Sequence, residues 1–214
     1  SLQWIIYQQV YVRIIDDVLE LYRGPLRESI KQLATIHLAK WLLQSPNEPL
    51  QKFAADVLSM IDFERHPYTG NDLLLFLTSQ HMEVQEAAQK RLEEEFHRLH
   101  LDGKWLAEYI LGADETSYPF IYNFLYKHRL WVLPILPQLI AELWRVLLSE
   151  DSSEQTQNFI IDDLFGDLFF DELKQTPLSK ILFLLEHENS NVQAFAARLM
   201  DKTSLDPQQL SFEQ

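Results

Sequence analysis

Apolar residues along this chain come in short bursts separated by polar breaks, and inside each burst the spacing is three and four, the period of a helix with one buried face. Leu74 to Leu92 reads LLFLTSQHMEVQEAAQKRL, and Lys40 to Leu58 reads KWLLQSPNEPLQKFAADVL. Apolar pairs, a polar loop, an apolar-Gln step and alanines fall in the same places in both. Leu182 to Met200, LFLLEHENSNVQAFAARLM, is a third copy. The apolar residues that open the second helix are Leu50, Val84 and Val192; the first two lie 34 positions apart, and the third stands about three further periods on. Between them, Leu106 to Tyr126 puts Tyr118 another 34 positions after Val84, and Val146 to Phe159 puts a second-helix start near Gln155. Five units therefore cover most of the chain.

Each unit has a physical logic. The first helix ends in a bulky pair such as Leu42/Leu43, Phe76/Leu77, Ile110/Leu111 or Leu184/Leu185, directed at a shared core. The second carries small residues, Ala54/Ala55, Ala87/Ala88 and Ala196/Ala197, where helices must approach closely. Ala54, Ala88 and Ala197 are expected to be buried against a neighbouring helix. One such hairpin cannot cover its own apolar faces, so the units must stack.

The segments VQAFAARLM and VQEAAQKRL resemble second helices of HEAT units, with their opening apolar-Gln and Ala steps. The resemblance to HEAT-repeat, armadillo-like proteins covers Lys40 to Leu92 and Leu182 to Met200; over about Lys104 to Leu173 only the spacing matches. A 34-residue step also suits tetratricopeptide repeats, but their first-helix Gly and aromatic positions are missing from the two best units. The resemblance implies an all-α fold, a right-handed α-solenoid of about five HEAT-like helix pairs plus an N-terminal helix. On this reading residues 1–214 form one domain: residues 1–24 an N-terminal helix serving as cap or half repeat, residues 25–203 about five helix pairs, and residues 204–214 the start of a further repeat or a tail. Leu2 to Tyr22 carries Ile6, Val10, Ile14, Val18 and Leu21 at helical spacing before Gly24-Pro25 closes it. The chain is expected to be a piece of a longer array.

Composition narrows the chemistry. The 214 residues hold 47% hydrophobic and 23% charged side chains, with five Gly and nine Pro, a balance that suits a helical globular chain. No cysteine is present, which excludes disulfides, thiol nucleophiles and cysteine-bound metals. Every apolar run is interrupted well short of the roughly 20 residues of a membrane span, and no signal-peptide pattern opens the chain, so a soluble, cytoplasmic protein without a membrane partner is expected. The net charge of −14 repels phosphate backbones, so no nucleic-acid partner is expected.

Glycine-rich phosphate loops, GxSxG elbows and HExxH helices are absent, and no catalytic residue, cofactor, metal site or small-molecule substrate is assigned. Glu93, Glu94, His97 and His100, read as one helix, put Glu93, His97 and His100 on a shared face, and Glu94-x-x-His97 has the spacing of half of a di-iron carboxylate site. A solvated polar face beyond the Leu92/Phe96/Leu99 stripe accounts for them more simply. The aromatic stretch Tyr118 to Trp131 is read as core or inter-repeat packing, or, where exposed, as a patch for a protein partner. The rival reading is an enzyme on a HEAT-like scaffold, a nucleic-acid glycosylase or a metal-dependent activity at His97/His100.

The charge is uneven. Between Arg145 and Lys174 no basic residue occurs, while Glu150, Asp151, Glu154, Asp162, Asp163, Asp167, Asp171 and Glu172 all fall there. In FIIDDLFGDLFFDEL, Phe159 to Leu173, Ile160, Leu164, Leu168 and Phe169 are expected to face inward and the acids water. The expected function is protein–protein interaction or scaffolding within a larger protein, not catalysis. Those of the eight carboxylates that face solvent are expected to form one continuous negative patch that docks a Lys/Arg-rich segment of a protein partner.

Overall fold

The computed structural model describes residues 15–147, 152–174 and 176–202, and all regular structure among them is helical. The chain falls into two compact units, Ser1–Leu101 and Asp102–Gln214.

In the first unit the described part of α1 spans residues 15–23. It is followed by α2 (Arg27–Leu33), α3 (Ile36–Leu43), α4 (Glu48–Met60), α5 (Gly70–Leu77) and α6 (Met82–Glu95). The polar breaks in the sequence are helix starts. The Thr35 side chain accepts from the Leu38 amide, Pro49 sits in the first turn of α4, and Thr69 and Asp72 form a reciprocal capping box. Helix α3 packs on α4, α5 on α6, and α4 on α6, so the second helices of successive hairpins lie against each other. Phe53, Ala54, Val57, Leu58, Phe76, Leu77, Val84, Ala88 and Leu92 form that core.

Helix α1 sits differently from its apolar pattern. Leu19 is buried, whereas Val18 and Leu21 are 40% and 50% exposed. The helix is turned so that Tyr22 meets the Phe53 ring at 6.3 Å and Arg23 Nε donates to Asp56 at 2.8 Å. Ile6, Val10 and Ile14 lie outside the described residues.

The second unit comprises α7 (Gly103–Gly112), α8 (Tyr118–Lys127), α9 (Arg129–Val132), α10 (Leu136–Leu147), α11 (Glu154–Asn158), a π-helix (Phe159–Leu168), α12 (Phe170–Leu173), α13 (Leu178–Leu185) and α14 (Ser190–Lys202). Helix α7 packs on α10, α8 on the π-helix, α13 on α14, and α14 on both α11 and the π-helix. The expected inward residues Ile160, Leu164, Leu168 and Phe169 are all buried.

The three similar sequence segments form three hairpins that share local detail. Helices α3, α5 and α13 are each 8 residues long. Leu50, Val84 and Val192 each stand third in the helix that follows. The recurring Gln beside them has a function in the loop: Gln51 Nε2 donates to the Ser45 carbonyl at 2.7 Å, Gln85 Nε2 to Ser79 at 2.6 Å, and Gln193 Nε2 to His187 at 2.6 Å. In the same loops the side chains of Ser45, Ser79 and His187 accept from the amides of Asn47, His81 and Asn189. A glutamine thus satisfies a loop carbonyl that the helices leave unpaired. Successive hairpins are joined the same way, with Gln51 Oε1 2.7 Å from His81 Nε2 in the first unit and Gln157 Oε1 accepting from Asn189 Nδ2 at 3.0 Å in the second. Gln85→Ala should cost about 0.5–1.5 kcal/mol, because its hydrogen bond is buried, and Gln193→Ala, exposed, distinctly less. Urea denaturation of the two variants checks the order.

Two expectations fail on local geometry. Ala54 and Ala88 are fully buried, but Ala197 is exposed and Ala196 takes the inward place. Counted from the opening apolar residue, Ala54, Ala88 and Ala196 are each four positions on, one helical turn, and Ala197 points one step away from that face. The expected continuous helix through His100 also ends early: α6 stops at Glu95, Phe96–Arg98 form a 3-10 turn, and His100 adopts a left-handed φ of 49°.

Candidate acidic groove

Within the second unit, α8 packs on the π-helix, and residues of both, with α11, line a groove of 630 Å³. Its floor is aromatic. The Tyr118 ring stacks on Phe159 with centroids 4.2 Å apart and planes within 1°, and the Tyr118 hydroxyl lies 3.1 Å from Thr156 Oγ1. Tyr122 stacks on Tyr126 and donates its hydroxyl to Asp167 at 2.6 Å. Pro119 and Asn123 from α8, with Gln155 and Asn158 from α11, complete the walls. A second hollow of 490 Å³ shares Glu115, Tyr118 and Gln155 and continues toward Asp114, Arg145 and Ser153.

The rim is acidic. Asp162, Asp163 and Asp167 line the groove from the π-helix and Glu115 from the turn before α8. Partial burial, then the charges of Asp162 and Asp167, hold the Asp163 carboxyl above the ordinary aspartate range. The hydrogen bond to Asp167 raises the Tyr122 phenol. Asp162, Asp163 and Asp167 are thus like charges close enough to act on one another, and a cationic group would relieve their repulsion.

The eight carboxylates singled out in the sequence take different positions. Asp162, Asp163 and Asp167 come together at the groove, while Glu154 stands exposed in the first turn of α11. Asp171 pairs with Lys174 at 2.6 Å, which lowers its carboxyl, and Glu172 accepts from Arg129 at 2.6 Å. Glu150 and Asp151 lie outside the described residues. The run without basic residues along the chain is thus answered in space by Arg129, which also donates to the Leu168 carbonyl at the end of the π-helix. Glu115 joins the rim from 47 positions before Asp162, and only the packing of α8 on the π-helix brings it there.

The aromatic stretch divides between core and surface. Ile121, Phe124 and Leu125 are buried, whereas Tyr126 and Leu130 are 64% and 87% exposed. With α6 ended at Glu95, Glu93, His97 and His100 do not share a helix face, and the His97 ring packs edge-on against Phe96. Among the described residues no group of three His, Asp or Glu side chains is placed to hold a metal ion. None of the helices among them is long and apolar enough to cross a membrane. Comparison with protein-family models, curated proteins and solved structures gives no match.

Proposed function

We propose that this chain is a protein-recognition segment, a HEAT-like α-solenoid whose acidic groove in the second unit takes a Lys/Arg-rich stretch of a protein partner. The observation that carries the reading is the meeting of Asp162, Asp163, Asp167 and Glu115 along one groove with Tyr118 and Tyr122 at its base. Carboxylates at the rim meet cationic heads, and tyrosine faces cover the methylene stems of lysine or the plane of arginine. The recurrence of hairpin geometry in α3/α4, α5/α6 and α13/α14 supports the solenoid, which suits an extended partner lying across several units.

The test is fluorescence anisotropy with a labelled Lys/Arg-rich peptide and a neutral peptide of equal length. The basic peptide should bind, and more weakly at higher salt, because exposed charges are screened over about 8 Å at physiological ionic strength. Replacing Asp162, Asp163 and Asp167 together by Asn should weaken binding at least about tenfold, at roughly 0.5–1 kcal/mol for each exposed charge contact, with helix content unchanged. Equal affinity of the triple variant, or binding indifferent to salt, would retire the proposal.

A further inference from the structure

Residues 159–168 form an i→i+5 ladder of 10 residues, far longer than the single π-turns usually found within α-helices. The register has a direct consequence for the rim. In an α-helix of 3.6 residues per turn, residues five apart point about 140° away from each other, so Asp162 and Asp167 could not share a side. The wider π ladder takes more residues per turn and brings positions 162, 163 and 167 together, as they stand in the groove.

We propose that Gly166 and Arg198 are positioning residues of the groove, holding residues 159–168 in the π register and through it gathering the three aspartates on one side. A Cβ at position 166 would lie 2.6 Å from the Ile161 carbonyl oxygen, five residues back, and 2.3 Å from Arg198 Nη2. The first contact is with backbone and cannot rotate away, so a side chain there pushes the very carbonyl that the wide ladder draws close. The second shows that the space left by the missing Cβ is filled by the Arg198 guanidinium from α14. That guanidinium is held over two rings, Phe170 at 5.5 Å and Phe195 at 5.6 Å. Glycine therefore permits the wide turn and arginine occupies it. The effect on partner binding rests on the groove reading above; the effect on the aspartates does not.

The test uses Gly166→Ala and Arg198→Met in the full chain, with two readouts. The first is the titration of the Asp163 carboxyl by NMR. Asp163 faces Asp162 and Asp167 on its own helix, and Glu115 and Tyr122 across the groove. In the parent it titrates above the ordinary aspartate value, the direction set by burial and its two neighbours. In both variants it should move down toward that value, because the π ladder relaxes and one neighbour turns away. Removing the Arg198 cation alone would push a nearby carboxylate up, so a downward move in Arg198→Met reports geometry and not charge. The second readout is affinity for the Lys/Arg-rich peptide, expected to fall about two- to fivefold as one charge contact is lost.

Should Gly166→Ala fail to fold, Arg198→Met, altered at an exposed side chain, decides alone. Unchanged or upward-shifted Asp163 titration in the folded variants overturns the inference. A parent chain that ignores the basic peptide while Asp163 moves as expected removes the groove reading and leaves the positioning roles standing.

Discussion

Ala88→Phe should lower the unfolding free energy by about 1–3 kcal/mol, while Ala197→Phe should change it by less than about 0.5 kcal/mol. Ala88 is fully buried on α6, which packs against both α4 and α5. The matching residue of α4, Ala54, is fully buried too, so helix axes approach where neither side chain extends past its Cβ. A phenyl ring at 88 enters a close-packed contact and must push α6 away from α4 and α5, where Val57, Leu73 and Phe76 are fully buried. Ala197 has the same sequence setting but faces solvent, because Ala196 fills the inward position. Urea denaturation followed by circular dichroism separates the two. Equal midpoints for Ala88→Phe and the parent would show that the α4–α6 contact does not hold the first unit together.

Gly103→Ala should also cost about 1–3 kcal/mol, and here the sign is the sharper result. In an open helix, alanine is favoured over glycine by nearly 1 kcal/mol, so with free space the variant would be the more stable protein. At Gly103 a Cβ would stand 2.4 Å from the Leu139 amide nitrogen and 2.6 Å from the Ile135 carbonyl oxygen. Both are backbone atoms of the α10 N-terminal turn, so only separation of α7 from α10 relieves the clash. That separation also stretches the bond from the Gly103 amide to Gln138 Oε1, now 3.0 Å. A raised midpoint for Gly103→Ala in thermal or urea denaturation would mean that α7 and α10 are not in this close contact.

Much of the local architecture was legible in the sequence because it rests on short-range rules. The apolar bursts at 40–43, 74–77 and 182–185 end helices, the polar four-residue breaks after them are loops, and Leu50, Val84 and Val192 each open the third position of the helix that follows. The Gln after each was visible as a recurring letter, but its purpose was not, since the loop carbonyl it satisfies lies six positions back in a turn whose geometry the letters do not specify. The one-residue error at Ala197 has the same origin. Two adjacent alanines are equivalent as composition, and only the helix phase counted from Val192 distinguishes them. The apolar spacing from Glu93 to His100 continues through Leu99 and suggests one helix, yet the turn at Phe96 and the left-handed His100 interrupt it.

That the chain is helical, and that its carboxylates gather late in the chain without basic residues between them, can be read from the letters alone. These are properties of neighbours a few positions apart, governed by helical period, helix-end chemistry and formal charge. Which of those carboxylates share one groove depends on the packing of distant segments. Arg129 reaches Glu172 from 43 positions away, Glu115 and Tyr122 arrive at the groove from the turn before α8 and from α8 itself, and the π register turns Asp162 to the side of Asp167. Charge adds up through space and not along the chain, so a run of like charges in sequence becomes a site only where packing leaves it facing one opening.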